Sequence, residues 1–129
     1  MIFTEEKNEN YKILSKTLPS IFQMCNIDIN KKILLKIDCE ACEKYLLHSQ
    51  ETVSIMQRCE HIIIEFHFPS IDNDETAKHY PTFLKSPSWV EYEQWLKENF
   101  ITNHKIETTF LRTRTGFATV VLKKCPRNL

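Results

Sequence analysis

An α/β layer fold with a mainly parallel sheet is predicted by three features of the sequence. Two short runs of strand composition, "KILLKID" (32–38) and "HIIIEFHF" (61–68), flank a segment with helical apolar spacing. Strand, helix and strand joined by short connections make a right-handed parallel crossover. The last third of the chain adds a helix and two further strands around one tight turn, an antiparallel hairpin appended to the sheet. The 129 residues suit one domain with its own core.

Taken in order, residues 1–15 form a polar N-terminal segment, and the domain is expected over 16–125. "KTLPSIFQMCNI" reads as a short helix with Thr17 as N-cap, Pro19 in the first turn, and Leu18, Ile21, Phe22 and Cys25 on one face. "NIDINKK" is a turn. The continuous apolar run in "KILLKID" predicts a strand covered on both faces. From Cys42 the period changes, and Tyr45, Leu46, Leu47, Val53 and Met56 suit one helix of about four turns ending near Arg58. "HIIIEFHF" is the second strand, stopped by Pro69. Residues 70–85 read as a polar loop of unusual length. "SPSWVEYEQWLKENF" carries a Ser88/Glu91 capping box, with Trp89, Tyr92, Leu96 and Phe100 sharing a face. Ile106 to Arg112 and Phe117 to Lys123 pair around Thr115-Gly116.

Composition excludes several classes of function. Seventeen basic and seventeen acidic residues balance, so no global field recruits nucleic acid or an anionic membrane, and the group Arg112, Arg114, Lys123 and Lys124 reads as a solvated hairpin. No apolar stretch is long enough to span a bilayer. The start of the sequence has no signal-peptide core, and the five cysteines are an odd number. Both point to cysteines that are mostly or all free thiols in a reducing, intracellular and cytoplasmic setting. The single glycine, Gly116, leaves no glycine-rich loop to cradle a phosphate or nucleotide.

Chemistry concentrates in "KIDCEACE" and "IIIEFHF". Asp38 and Glu40 stand where a parallel strand passes into a helix, the edge at which open α/β sheets bind ligands. The same two residues would serve equally as helix caps bonded to loop amides. Glu65 and His67 end the neighbouring strand on that edge, where a carboxylate and an imidazole could bind a polar substrate or move a proton, or simply be solvated. Cys39 and Cys42 form a C-x-x-C. It can be read as a thioredoxin-like redox pair, as half of a zinc site completed by Cys59 and His61, or as two small residues filling a tight turn.

"LLKIDCEACEKYLL" followed by "HIIIEFH" resembles the FkbM family of S-adenosylmethionine-dependent methyltransferases. That family carries a strand reading L-K-I-D-x-E-G-x-E, a helix, and a strand reading I-I-x-E-x-H. Leu35, Lys36, Ile37, Asp38, Glu40 and Glu43 match the first motif; Ile63, Glu65 and His67 match the second. "KTLPSIF" is similar to the helix that precedes the first motif, and the terminal hairpin fits the reversed final strands of a class I methyltransferase sheet. Two departures stand out. Ala41 replaces the motif glycine, and only the second half of the methyltransferase domain has a counterpart.

The resemblance implies a partial Rossmann-like class I methyltransferase fold with flanking helices, truncated or degenerate. It implies O-methyl transfer from S-adenosylmethionine to a small-molecule or glycan acceptor, with Asp38 or His67 as the base and Glu40 and Glu65 binding substrate. No metal enters this reading. A second expectation is a non-catalytic partner or pseudoenzyme module, in which a homodimer or a partner chain covers the exposed edge of the sheet. A third is a thiol–disulfide protein using Cys39 and Cys42.

Overall fold

The computed structural model describes residues 16–39, 42–69 and 86–126. The polar N-terminal segment, the Glu40-Ala41 step and the expected loop at 70–85 lie outside the described residues. The elements run α1 (Leu18–Met24), β1 (Leu34–Ile37), a 3-10 helix (Cys42–His48), α2 (Gln50–Met56), β2 (His61–His67), α3 (Trp89–Phe100), β3 (His104–Arg112) and β4 (Phe117–Lys124).

These elements make a mixed α/β fold with a four-stranded open sheet in the order β1-β2-β4-β3. β1 and β2 are parallel, with Leu34 opposite His61 and Ile37 opposite Ile64. β4 is antiparallel to both β2 and β3, so it alone runs against the other three strands. The sheet is thus mixed, with one parallel and two antiparallel pairings, where a mainly parallel one was expected. The hairpin turns at Gly116, whose φ of 68° lies in the left-handed region that glycine enters without a Cβ penalty. A bulge between Thr108 and Phe110 shifts the β3 register.

The core lies on one face of the sheet. Leu35 and Ile37 from β1, Ile62, Ile64 and Phe66 from β2, and Ala118, Val120 and Leu122 from β4 all point into it. Every described helix plugs the same cluster: Leu18 from α1, Leu46 from the 3-10 helix, Val53 and Met56 from α2, and Tyr92, Trp95, Leu96 and Phe100 from α3. Phe66 is its aromatic centre, with ring centroids of Trp89, Tyr92 and Trp95 at 6.1, 4.5 and 6.4 Å. These contacts bury large areas and add edge-on ring attraction.

Three sequence-based expectations are corrected here. β1 is not covered on both faces: its burial alternates, with Leu34 68% exposed and Lys36 exposed, so it behaves as a half-buried edge strand despite its apolar run. The single helix expected from Cys42 to Arg58 is two pieces. Ser49 adopts an extended conformation and its hydroxyl accepts the Thr52 N–H at 3.3 Å, which caps a new helix and re-aims it. That break leaves Tyr45 half exposed. Cys25, placed on the apolar face of α1, is instead its exposed C-cap. The Thr17 cap of α1 and the reciprocal Ser88/Glu91 capping box of α3 are present as expected, as both are decided by residues three apart.

His104 opens β3 and is buried, its Nε2 2.8 Å from the Cys59 carbonyl, which locks the turn before β2 to the turn after α3. A carbonyl only accepts, so Nε2 carries the proton. Burial lowers the affinity of the ring for a second proton, the Cys59 bond opposing and Lys124 reinforcing the shift. The unfolded chain therefore binds a proton that the folded chain refuses, and stability is lost as pH falls below the ordinary histidine value of about 6.5. Urea midpoints are expected to fall between about pH 7.5 and about pH 5.5. The fall should shrink in His104→Gln, whose amide can still donate to the Cys59 carbonyl.

Candidate functional site

The carboxyl ends of the parallel strands carry the site. β1 stops at Ile37, opposite Ile64, whereas β2 continues through Glu65, Phe66 and His67. The odd-numbered N–H groups of β2 point toward β1, as the His61 bond to the Ile33 carbonyl shows, while Phe68 donates to Gly116 on the β4 side. Past Ile37 the β1-facing groups need another partner.

Glu43 supplies it. Its side chain is fully buried, and Oε1 accepts the backbone N–H of His67 and lies 3.2 Å from His67 Nδ1. One carboxylate oxygen thus holds both the strand end and the imidazole that follows from it. The other oxygen, Oε2, lies 3.8 Å from Cys39 Sγ. His67 is itself buried, with the Phe117 ring edge-on at 5.4 Å. Tyr92 of α3 closes the cluster from the helix layer. Burial pushes its hydroxyl well above the usual phenol range; the carboxylates of Glu43 and Glu91 add to this, and the nearby Ser86 side chain opposes it.

Asp38 and Glu65 are in the next register position after Ile37 and Ile64, on the sheet face turned away from the helices. Glu65 hydrogen-bonds Asp38, and this contact with a second carboxyl group raises the Glu65 carboxyl above its ordinary value. Partial burial and the Asp38 charge push the same way, against Lys36 and His67.

The sequence-selected residues are therefore brought together in part. Asp38, Glu65 and His67 share one edge of the sheet, whereas Glu40 lies outside the described residues. Glu43, counted only as a motif match, is the residue that joins the site to the fold. Its signal was present: it stands three residues before core Leu46, on the face a helix would bury. A carboxylate there calls for a buried partner.

Cys39 and Cys42 are a disulfide, with Cα atoms 5.4 Å apart, while Cys25, Cys59 and Cys125 are free, so most of the five cysteines are thiols as expected and the C-x-x-C pair is the exception. The zinc half-site is excluded by topology: Cys59 precedes β2 and Cys39 follows β1, so the parallel pairing puts them at opposite ends of the sheet. Among the described residues no group of three or more His, Cys, Asp or Glu could hold a metal ion, and no helix is long and apolar enough to cross a membrane.

No family model matches the sequence, and no curated protein and no solved structure is detectably similar to it. The site must be read from its own geometry.

Two substitutions probe that geometry. Glu43→Ala leaves the His67 N–H and ring without their acceptor in a buried setting and is expected to cost about 1–3 kcal/mol in urea unfolding, with Glu43→Gln milder because an acceptor oxygen remains. Asp38→Ala removes both the hydrogen bond and the charge that raise Glu65. The Glu65 carboxyl, followed by carbon-detected NMR titration, should then move down toward the ordinary value of about 4.3.

Proposed function

We propose that the chain is the acceptor-side part of an FkbM-type O-methyltransferase domain. The observation that carries this reading is the meeting of the two motifs at one edge of the sheet. Asp38 and Glu65 end adjacent parallel strands in hydrogen-bond contact, and His67 is anchored beside them by Glu43. The strand directions support it as well, since the chain ends in a hairpin whose last strand inserts next to β2 and runs against the rest. In this reading Asp38 and Glu65 hold hydroxyl groups of a small-molecule or glycan acceptor, and Asp38 or His67 takes the proton of the reacting hydroxyl. Alignment of the acceptor is the main contribution such residues make.

S-adenosylmethionine would supply the methyl group in a complete domain, but the described residues do not fit it. Gly116 is the single glycine and is held in the β3–β4 turn by the Phe68 N–H, so no glycine-rich stretch supplies a backbone cradle. The chain on its own is therefore assigned acceptor binding and not methyl transfer. β1, the edge strand on the parallel side of the sheet, is where a homodimer mate or a partner chain would add the cofactor-holding part.

NMR titration of the labelled protein with a neutral oligosaccharide series and, separately, with S-adenosylmethionine tests this. The expected result is amide shifts at Asp38, Glu65 and His67 with a hydroxyl-rich ligand, lost in Asp38→Ala with Glu65→Ala, and none with S-adenosylmethionine. Micromolar binding of S-adenosylmethionine, or saccharide shifts confined to other surfaces, would sink the assignment.

A further inference from the structure

We infer that Cys39 and Cys42 form a thiol–disulfide exchange site in which Glu43 acts as the base for Cys39. This inference does not depend on the methyltransferase reading; it rests on which atoms face the sulfurs. The disulfide spans the step from the end of β1 into the 3-10 helix, and both cysteines are half-buried, reachable by a small or extended disulfide but not freely solvated. Glu43 follows Cys42 directly and is fully buried. Because Oε1 is held by the His67 N–H and ring, the carboxylate cannot swing away, and Oε2 stays 3.8 Å from Cys39 Sγ. A buried carboxylate fixed against one sulfur of a C-x-x-C distinguishes that sulfur from the other.

The reaction balances with a disulfide as oxidant. In the reduced protein the Cys39 thiol passes its proton to Glu43, and the thiolate attacks a substrate disulfide. A mixed disulfide forms, and one substrate thiolate leaves and is protonated. Cys42 then gives its proton to solvent and attacks Cys39 Sγ; the internal disulfide forms, and the second substrate thiolate departs and takes a proton from solvent. Two electrons pass from the cysteine pair to the substrate, and the state described here is the oxidised product. Among the described residues, Cys39 at the end of β1 and His67 of β2 face Glu43, and Tyr92 of α3 is near enough to feel its charge. The substrate class is a low-molecular-weight or peptide disulfide.

The remaining thiols are poor competitors or easily removed. Cys59 is buried, its Sγ donates to the Ile55 carbonyl at 3.5 Å, and burial pushes its thiol up to about 11, so it stays protonated. Cys25 and Cys125 are exposed and can be replaced by serine without touching the core.

The test uses the full chain carrying Cys25→Ser and Cys125→Ser, reduced, then mixed with oxidised glutathione, acid-quenched at intervals and weighed by intact-protein mass spectrometry. The parent should pass to the internal disulfide. With Cys42→Ser added, the reaction should stop at a mixed disulfide formed as fast as the parent's first step. With Cys39→Ser added, mixed-disulfide formation should slow about tenfold or more, as loss of a positioned base requires. Glu43→Gln, which keeps an acceptor oxygen and is expected to stay folded with only a small drop in melting midpoint, should slow the first step by at least about tenfold. If that variant melts early, the comparison of the two serine variants decides alone. Equal rates for Cys39→Ser and Cys42→Ser, or a folded Glu43→Gln as fast as the parent, would overturn the inference.

Discussion

The mismatch in length between β1 and β2 is the constraint on which the site depends. β2 outruns its parallel neighbour by three residues, Glu65, Phe66 and His67, and a buried strand cannot leave its N–H groups unpaired without a cost of about 1–3 kcal/mol each. The chain meets this with a side chain: the 3-10 helix that follows β1 returns Glu43 to the place where another β1 residue would have stood. That return brings Cys39 and Cys42 close together, holds the His67 ring, and leaves Asp38 beside Glu65 on the outer face. Four chemically distinct groups are placed by one hydrogen-bonding obligation.

The division of the sheet into a packed face and an open face decides which of those groups meets solvent. Phe66, turned into the helix layer, is wrapped by Trp89, Tyr92 and Trp95, while Glu65, one residue earlier, points the other way. A period of two along β2 thus separates core from chemistry residue by residue. His67 is the exception, since it is on the outer parity yet buried, because Glu43 and Phe117 close around it.

Asp38, Cys39, Cys42 and Glu43 bring two kinds of chemical group into one short stretch of chain. Asp38 belongs to the carboxyl pair, Cys39 and Cys42 to the sulfur pair, and Glu43 touches both through His67 and Cys39. Opening the disulfide would remove the covalent link at the head of the 3-10 helix, whose second residue is the anchor of the β2 end. The two proposed activities would therefore be mechanically adjacent even though neither requires the other.

Local interactions were legible in the sequence. The β-branched run of β2, the Ser88/Glu91 capping box, the Thr17 cap and the hairpin at Gly116 each depend on residues within a few positions of one another, and composition is enough to specify them. The edge location of Asp38, Glu65 and His67 followed from the parallel crossover, because connection length and handedness leave few alternatives. Tertiary structure alone decided the rest. Leu34 looked as apolar as Leu35, but every described helix packs on the face of Leu35. Ser49 broke an apolar period that would otherwise have continued. Glu43 took its role from a backbone N–H 24 residues away, and the fate of the C-x-x-C followed from that anchoring. Non-local partners cannot be read from spacing, since what a buried polar group pairs with is settled only when the strands have aligned.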